Sequence, residues 1–170
     1  MNTNIMLDLE TMGISPNSAI VAIGAVKFTA TEILDTFYQT IDLDTTTGDC
    51  DTSTIKWWLC QSQLARDELI NAEASESEVL ENFIKWVGDS EPYVWGNSAA
   101  FDNVILGAAY QRNGIEKPWK YRNDRCYRTI NMLFPVEDVA QVGIAHCAVD
   151  DAVYQARKLI KICEQYGLVI

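Results

Sequence analysis

Two acidic residues spaced two apart stand near the N-terminus of the chain, in the stretch LDLET. Residues 4–8 (NIMLD) are a short apolar run that predicts a buried strand. Because side chains alternate between the two faces of a strand, Asp8 and Glu10 project on the same side. Like charges held together there repel each other unless a cation lies between them. The pair therefore predicts a metal site, with a solvated strand end as the alternative.

Two further motifs contain residues that could join this site. Asp102 lies in YVWGNSAAFDNVIL (93–106), after a predicted strand and early in a predicted helix. His146 is the only histidine of the chain, and Asp151 follows it by five residues, at the start of the predicted last helix. Each acid also has a simpler explanation, because carboxylates in the first turn stabilise a helix. A lone histidine is most often an ordinary surface or core residue.

Taken in chain order, the motifs D-x-E, F-D and H-x-x-x-x-D resemble the DEDDh branch of the DnaQ-like 3′–5′ exonuclease superfamily. The resemblance runs from Asp8 to Asp151 and includes LDLETMG, AIVAIGAV, VWGNSAAFDNVIL and HCAVDDAVYQA. The segments WWLCQSQLAR and RCYRTI are most similar to small bacteriophage and bacterial members. In one departure, Ser98 stands where many proofreading relatives carry asparagine, which puts one substrate hydrogen bond in doubt.

The resemblance implies catalysis with two Mg²⁺ ions, for which Mn²⁺ can substitute. Asp8 would bridge the ions, Glu10 and Asp151 would hold the one beside the attacking water, and Asp102 would serve the other. His146 would be the general base, since the pKa of imidazole, about 6.5, lies near working pH. The reaction would release nucleoside 5′-monophosphates from the 3′ end of single-stranded DNA or RNA, with the sugar left open.

Several residues are candidates for binding the substrate. The resemblance implies contacts with the terminal nucleotide from Thr11 and Met12, with Ser98 and Phe101 nearby. In the pair Trp57–Trp58, adjacent helical residues point about 100° apart, so at most one indole should stack on a base. Trp57 is the candidate, and the alternative is that both indoles lie in the core.

The net charge of −11 argues against a nucleic-acid partner, but the charge is unevenly distributed. Residues 112–128 carry six cations against two acids, and they could follow the phosphates of a bound strand. Arg125 and Arg128 are the first candidates for such contacts. A solvated basic loop is the alternative.

The predicted elements alternate between strands and helices. Strands are expected at 4–8, 19–28, 32–41, 93–96 and 125–127, and helices at 54–71, 75–89, 99–113, 129–133 and 148–166. The first strands form a hairpin, so an α/β fold with a mixed sheet is expected. The resemblance implies the RNase H-like version, with about five strands flanked by helices. A chain of 170 residues suits one such exonuclease domain, spanning 1–170.

The remaining sequence properties limit the location and the class of protein. No apolar run approaches the roughly 20 residues that a membrane span needs, so a cytoplasmic protein of a bacterium or a phage-infected host is expected. The five cysteines include no CxxC pair and are expected to be reduced and mostly buried. A catalytically weak nucleic-acid-binding or adaptor protein on the same fold is the alternative function. Several relatives pair into homodimers, so a dimer is also possible.

Overall fold

The structure, a computed structural model, describes residues 3–141, 143 and 147–170. Five strands of these residues form one mixed sheet in the order β3–β2–β1–β4–β5. Their bounds are β1 Asn4–Thr11, β2 Ile20–Phe28, β3 Ile33–Thr40, β4 Tyr93–Gly96 and β5 Asp124–Cys126. The first three strands are antiparallel neighbours, whereas β4 runs parallel to both β1 and β5. The prediction of an α/β protein with a mixed five-stranded sheet is confirmed.

Within the part of the chain that the structure describes, six α-helices accompany the sheet. Their bounds are α1 Thr52–Leu59, α2 Gln63–Ile70, α3 Glu76–Val87, α4 Asp102–Arg112, α5 Tyr127–Leu133 and α6 Ala148–Tyr166. None of the helices within the described residues is long and apolar enough to cross a membrane.

The central strand β1 is buried on both faces, which explains its nearly continuous apolar sequence. Ile5, Leu7 and Leu9 share one core with buried residues of α3 and α4. Met6 points to the opposite face and packs with residues of α6. A third and smaller cluster joins Met12 to α1 and α2. Strand β1 is therefore fixed from both sides at the point where it carries the acidic pair.

Three sequence predictions about local structure need correction. The helix expected at 54–71 is two helices, because the chain turns after Leu59 and the Ser62 hydroxyl caps a new helix by accepting from the Ala65 amide. Strand β1 continues to Thr11, so Asp8 and Glu10 lie within the strand and not at its end. Cysteines are not mostly buried: two are exposed, two are intermediate, and Cys163 alone is buried.

Helix α6 lies so close to the sheet that β2 needs a glycine beneath it. Gly24 is the cross-strand neighbour of Asp8, and a Cβ placed on it would lie 2.1 Å from the Ala148 carbonyl carbon and 2.2 Å from the Val149 nitrogen. Both atoms belong to the backbone of the first turn of α6, so they cannot move aside as a side chain would. Glycine at this position therefore sets how near the first turn of α6 comes to Asp8.

We expect Gly24→Ala to lower the free energy of unfolding by about 1–3 kcal/mol, because α6 must shift away from the sheet. Gly107→Ala on α4 is the matched control, since the nearest atom to its added Cβ is the Lys117 Cδ at 3.9 Å. That change should be neutral or stabilising by about 0.5–1 kcal/mol. Urea unfolding of both variants measures the difference, and equal stabilities would contradict this account of the packing.

Candidate active site

Three carboxylates converge where β1 meets the first turn of α6. One oxygen each from Asp8, Glu10 and Asp151 lies within 4.8 Å of the other two. The two-residue spacing on β1 places Asp8 and Glu10 on the face that α6 covers, and Asp151 comes from the start of that helix. Residues 143 positions apart in the chain are thereby combined into one acidic cluster.

Asp102 lies beside this cluster but outside its tightest part. It is the first residue of α4, directly beyond the C-terminal end of β4, and only 3% of it is exposed. Its Oδ1 accepts a hydrogen bond of 3.3 Å from the Leu9 amide of β1. This contact ties the fourth predicted carboxylate to the backbone of β1, at the residue that separates Asp8 from Glu10.

Three acids of the site have raised pKa values. Burial is the main cause in each case, and it raises the pKa of Asp102 to about 6 and that of Glu10 to about 9. The pKa of Asp8 also lies well above its ordinary range, first because of burial and then because of the charge on Asp102. Neighbouring carboxylates add to the rise at Glu10 as well. The site consequently binds protons tightly when no cation neutralises it.

This arrangement fits a divalent metal ion. Hard ions such as Mg²⁺ and Mn²⁺ prefer carboxylate oxygens, and the cluster offers several from different elements at short range. A bound cation would also remove the repulsion that raises the pKa of Asp8 and Glu10. The oxygen donors and the electrostatics of the site therefore both favour a divalent cation.

We expect the metal-free protein to lose stability as the pH rises. A carboxyl whose pKa is raised on folding stabilises the protein below its unfolded pKa, and this contribution is lost as the pH passes through the folded value. For Glu10 that window extends from about 4.5 to about 9. In EDTA, Tm should fall between pH 6 and pH 9, and the increase in Tm on adding Mg²⁺ should widen over the same range. A metal-induced shift that is absent or independent of pH would contradict the assignment.

Two glutamine amides contact the carboxylates, and the sequence prediction missed both. The Nε2 of Gln155 donates to Asp8 Oδ1 at 2.9 Å, and the Nε2 of Gln141 donates to Asp151 Oδ1 at 3.0 Å. Gln155 follows Asp151 by four residues on α6, so the helical spacing placed it on the same face. That spacing was visible in the sequence, but its contact with a strand 147 residues away was not.

A cleft of about 450 Å³ opens beside the cluster. Glu10 belongs to both, since it is a member of the acidic cluster and also lines the cleft. The other lining residues are Leu9, Thr11, Gly13, Ile14, Ser53, Thr54, Trp57 and Phe101. The volume lies in the range of about 300–1,000 Å³ that small-molecule sites occupy. A ligand group of that size can therefore lie against Glu10.

The two adjacent tryptophans of α1 have different surroundings. Trp57 is 41% exposed and lines the cleft, whereas Trp58 is 5% exposed and lies in the core. The Trp58 Nε1 donates to the Thr11 carbonyl oxygen at 3.0 Å and so ties α1 to the end of β1. Trp57 thus forms part of the cleft wall, while Trp58 packs in the core beside it.

The remaining predicted contacts are distributed around this end of the sheet. Thr11 and Phe101 line the cleft, whereas Met12 is buried in the core beneath α1 and α2 and is absent from its lining. Ser98 accepts hydrogen bonds through its carbonyl oxygen from the Phe101 and Asp102 amides, which helps to start α4. In this way Ser98 supports Asp102 from the backbone.

Most of the predicted basic segment is paired with acids. Arg112 lies 3.9 Å from the buried Glu76, Lys117 lies 4.0 Å from Asp124, and both Lys120 and Arg122 pair with Glu91.

The two arginines predicted to contact phosphates have different surroundings. Arg125 stacks over the Tyr93 ring at 4.1 Å from its centroid. Arg128 is exposed, and it makes no ion pair with any described residue. Its amide donates to the Asn97 carbonyl oxygen, which places Arg128 beside the end of β4.

The predicted general base, His146, lies outside the described residues. The nearest described residue after it is Cys147, which immediately precedes α6. The proposed role of His146 therefore rests on its spacing from Asp151 in the sequence.

Known proteins share both the sequence pattern and the fold of this chain. Over 113 residues it is 28% identical to the DNA polymerase III PolC-type of Latilactobacillus sakei subsp. sakei (strain 23K). The matched region is 66% of this chain, and it spans only 7% of the polymerase. The similarity is thus confined to a small part of that protein.

Solved exonuclease structures superpose on nearly the whole chain. The nuclease domain of 3′hExo, a DEDDh family member bound to rAMP, has a TM-score of 0.67 at 17% identity, covering 98% of this chain and 93% of that one. Exonuclease X in complex with 5′ overhanging duplex DNA has a TM-score of 0.62 at 17% identity, covering 97% and 93%. E. coli exonuclease I with a dA16 oligonucleotide has a TM-score of 0.67 at 13% identity, covering 97% and 41%. These similarities confirm the RNase H-like fold.

A protein-family model extends the comparison over most of the sequence. Residues 3–163 match the model described as the 3′–5′ exoribonuclease Rv2179c-like domain. The match includes all four predicted carboxylates and the predicted histidine. The expectation of a DnaQ-like nuclease is confirmed, and the chain belongs to the Rv2179c-like family of 3′–5′ exoribonuclease domains.

Proposed function

We propose that this chain hydrolyses single-stranded nucleic acid from the 3′ end and releases nucleoside 5′-monophosphates. Asp8, Glu10, Asp102 and Asp151 hold two divalent ions, with Mg²⁺ as the physiological metal and Mn²⁺ as a substitute. His146 is the general base. The family assignment supports exonuclease activity, and the acidic cluster supports metal binding.

One observation carries this function: the acidic cluster and the cleft meet at Glu10. A terminal nucleotide in the cleft would have its phosphate next to the carboxylates that hold the metals. Trp57 and Phe101 both line the cleft, and their rings are the groups on which its base would stack. Only an unpaired nucleotide can unstack from its neighbours and enter such a cleft, so single strands are the expected substrates.

Different residues have different roles in the proposed reaction. When bound, two such ions polarise the phosphate and stabilise charge on the attacking and leaving oxygens. His146 accepts the proton of the attacking water, whose oxygen forms a bond to phosphorus as the bond from phosphorus to the 3′-oxygen breaks. The leaving 3′-oxygen takes a proton from solvent, so the shortened strand ends in a 3′-hydroxyl and the phosphate leaves on the 5′-oxygen of the released nucleotide. Thr11 and Phe101, which line the cleft, would confine the terminal nucleotide. Arg128, which is exposed near the end of β4, is the proposed contact for a phosphate further along the strand. Arg125, held against Tyr93, is the weaker candidate for that contact.

RNA is the proposed substrate in preference to DNA. The matched family is described as exoribonuclease, although exonuclease relatives of the same fold are bound to DNA. A protein distinguishes the two sugars by contacts with the 2′-hydroxyl. The hydroxyl groups of Thr11, Ser53 and Thr54 around the cleft could form such contacts.

Product analysis on matched oligonucleotides tests this function. RNA and DNA of the same sequence are incubated with the protein and Mg²⁺, and the released products are separated by chromatography. Nucleoside 5′-monophosphates should accumulate, faster from RNA than from DNA. Nucleoside 3′-monophosphates would contradict the mechanism, and a faster reaction on DNA would contradict the sugar preference.

A further inference from the structure

A buried amide on α6 contacts one of the four carboxylates. Gln155 is only 6% exposed, and its Nε2 donates a hydrogen bond of 2.9 Å to Asp8 Oδ1. It lies one helical turn after Asp151, so both side chains project from α6 toward β1. The same face of α6 therefore supplies the Asp151 carboxylate to the cluster and a hydrogen-bond donor to Asp8 on β1.

The other end of this amide is difficult to explain by stability alone. Among the described residues, the buried Gln155 Oε1 has no hydrogen-bond partner. A buried carbonyl oxygen without a donor is destabilising. The neighbours of Gln155 on α6 include Ala152, Ala156 and Leu159, which pack in an apolar cluster. An apolar side chain of similar length would suit that packing better, so the contact with Asp8 is the feature that requires glutamine.

We infer that Gln155 is a positioning residue that holds the Asp8 carboxylate in the orientation required of a metal ligand. The inference rests on the proposed function, because it takes Asp8 as a ligand. Side chains that hydrogen-bond to ligands fix their orientation, and their loss commonly weakens metal binding about 10–100-fold. Gln155 acts only through Asp8 and touches neither the substrate nor the reacting atoms.

The test replaces Gln155 with methionine, which keeps the length of the side chain and removes the donor. Mn²⁺ binding is measured directly from the electron paramagnetic resonance signal of the free ion. We expect Gln155→Met to bind Mn²⁺ about 10–100-fold more weakly than the wild type. The KM for the oligonucleotide should be unchanged, and kcat should recover at saturating metal. Tm in EDTA should be unchanged or higher, because the variant no longer buries a carbonyl oxygen that has no hydrogen-bond partner among the described residues.

Two further variants make the result specific. Asn123→Leu removes another buried amide, one that donates to the Pro92 carbonyl oxygen away from the carboxylates. It should lower Tm and leave Mn²⁺ binding unchanged. Gln155→Asn keeps an amide but withdraws it from Asp8 by one methylene, so it should lose Mn²⁺ affinity as Gln155→Met does. This variant also serves if the methionine variant does not fold.

Wild-type affinity for Mn²⁺ in a folded Gln155 variant would overturn the inference, whatever the change in Tm. Failure of the proposed function has a different signature, because the wild-type protein itself would then neither bind Mn²⁺ nor shorten an oligonucleotide. The two failures are therefore distinguishable in the same set of measurements.

Discussion

Replacement of Asp8 by asparagine should reduce kcat at least about 10³-fold. The ions that Asp8 helps to hold supply several kcal/mol of transition-state stabilisation, and each 1.4 kcal/mol is worth a factor of ten in rate. In the metal-free protein the pKa of Asp8 is raised, first by burial and then by the charge on Asp102, and asparagine has no such ionisable group whose burial costs stability above the unfolded pKa. Tm of the variant in EDTA at pH 8 should therefore exceed that of the wild type, as often happens when a strained functional group is removed.

The opposite directions of these two effects make the Asp8→Asn result diagnostic. Glu81→Gln is the control, because Glu81 is an exposed acid on α3 and should change neither kcat nor Tm appreciably. Treatment of the wild type with EDTA should abolish activity, and Mg²⁺ or Mn²⁺ should restore it. An Asp8→Asn protein that keeps its activity, or that is less stable than the wild type in EDTA, would contradict the assignment of Asp8.

His146→Ala should lower kcat by about 10²–10⁴-fold, the usual contribution of a positioned acid or base. Because the histidine is proposed to contact the water and not the ions, binding of Mn²⁺ and of the oligonucleotide should survive. The rate should be measured in single turnover, so that product release does not mask the chemical step. Added imidazole should recover part of the lost rate, since a free base can enter the space that the side chain left.

Asp151→Asn provides the comparison for His146→Ala. It removes a member of the acidic cluster, so metal affinity should fall together with the rate, and imidazole should not rescue it. Comparison of the two variants therefore distinguishes a general base from a metal ligand. A near-normal rate for His146→Ala would mean that the histidine is not the base.

Patterns within one element predicted the local structure of the chain well. The bounds of α6 followed from its apolar spacing and from Gly167, which ends the helix with φ at 63°. The two-residue spacing of Asp8 and Glu10 was enough to place them on one face of β1. The break between α1 and α2 was missed because the apolar spacing continues through it, and the Ser62 cap is a weak signal without an acid three residues later.

Features that depend on distant contacts could not be predicted in the same way. The basic segment was a plausible phosphate track in sequence, but Glu76 and Glu91, from elsewhere in the fold, form ion pairs with three of its cations. Met12 follows the acidic pair closely, yet the packing of α1 and α2 buries it in the core. In each case the partner lies more than 25 residues away, and the sequence holds no local signal for the pairing.

Digestion of an RNA oligonucleotide labelled at its 5′ end tests the central claim most directly. With the wild-type protein and Mg²⁺, gel electrophoresis should show a ladder of labelled products that shorten from the 3′ end with time. The ladder should be absent in EDTA and with Asp8→Asn. A single internal cut would indicate an endonuclease, and an intact oligonucleotide in the presence of Mg²⁺ would indicate a binding protein; either result would contradict the account.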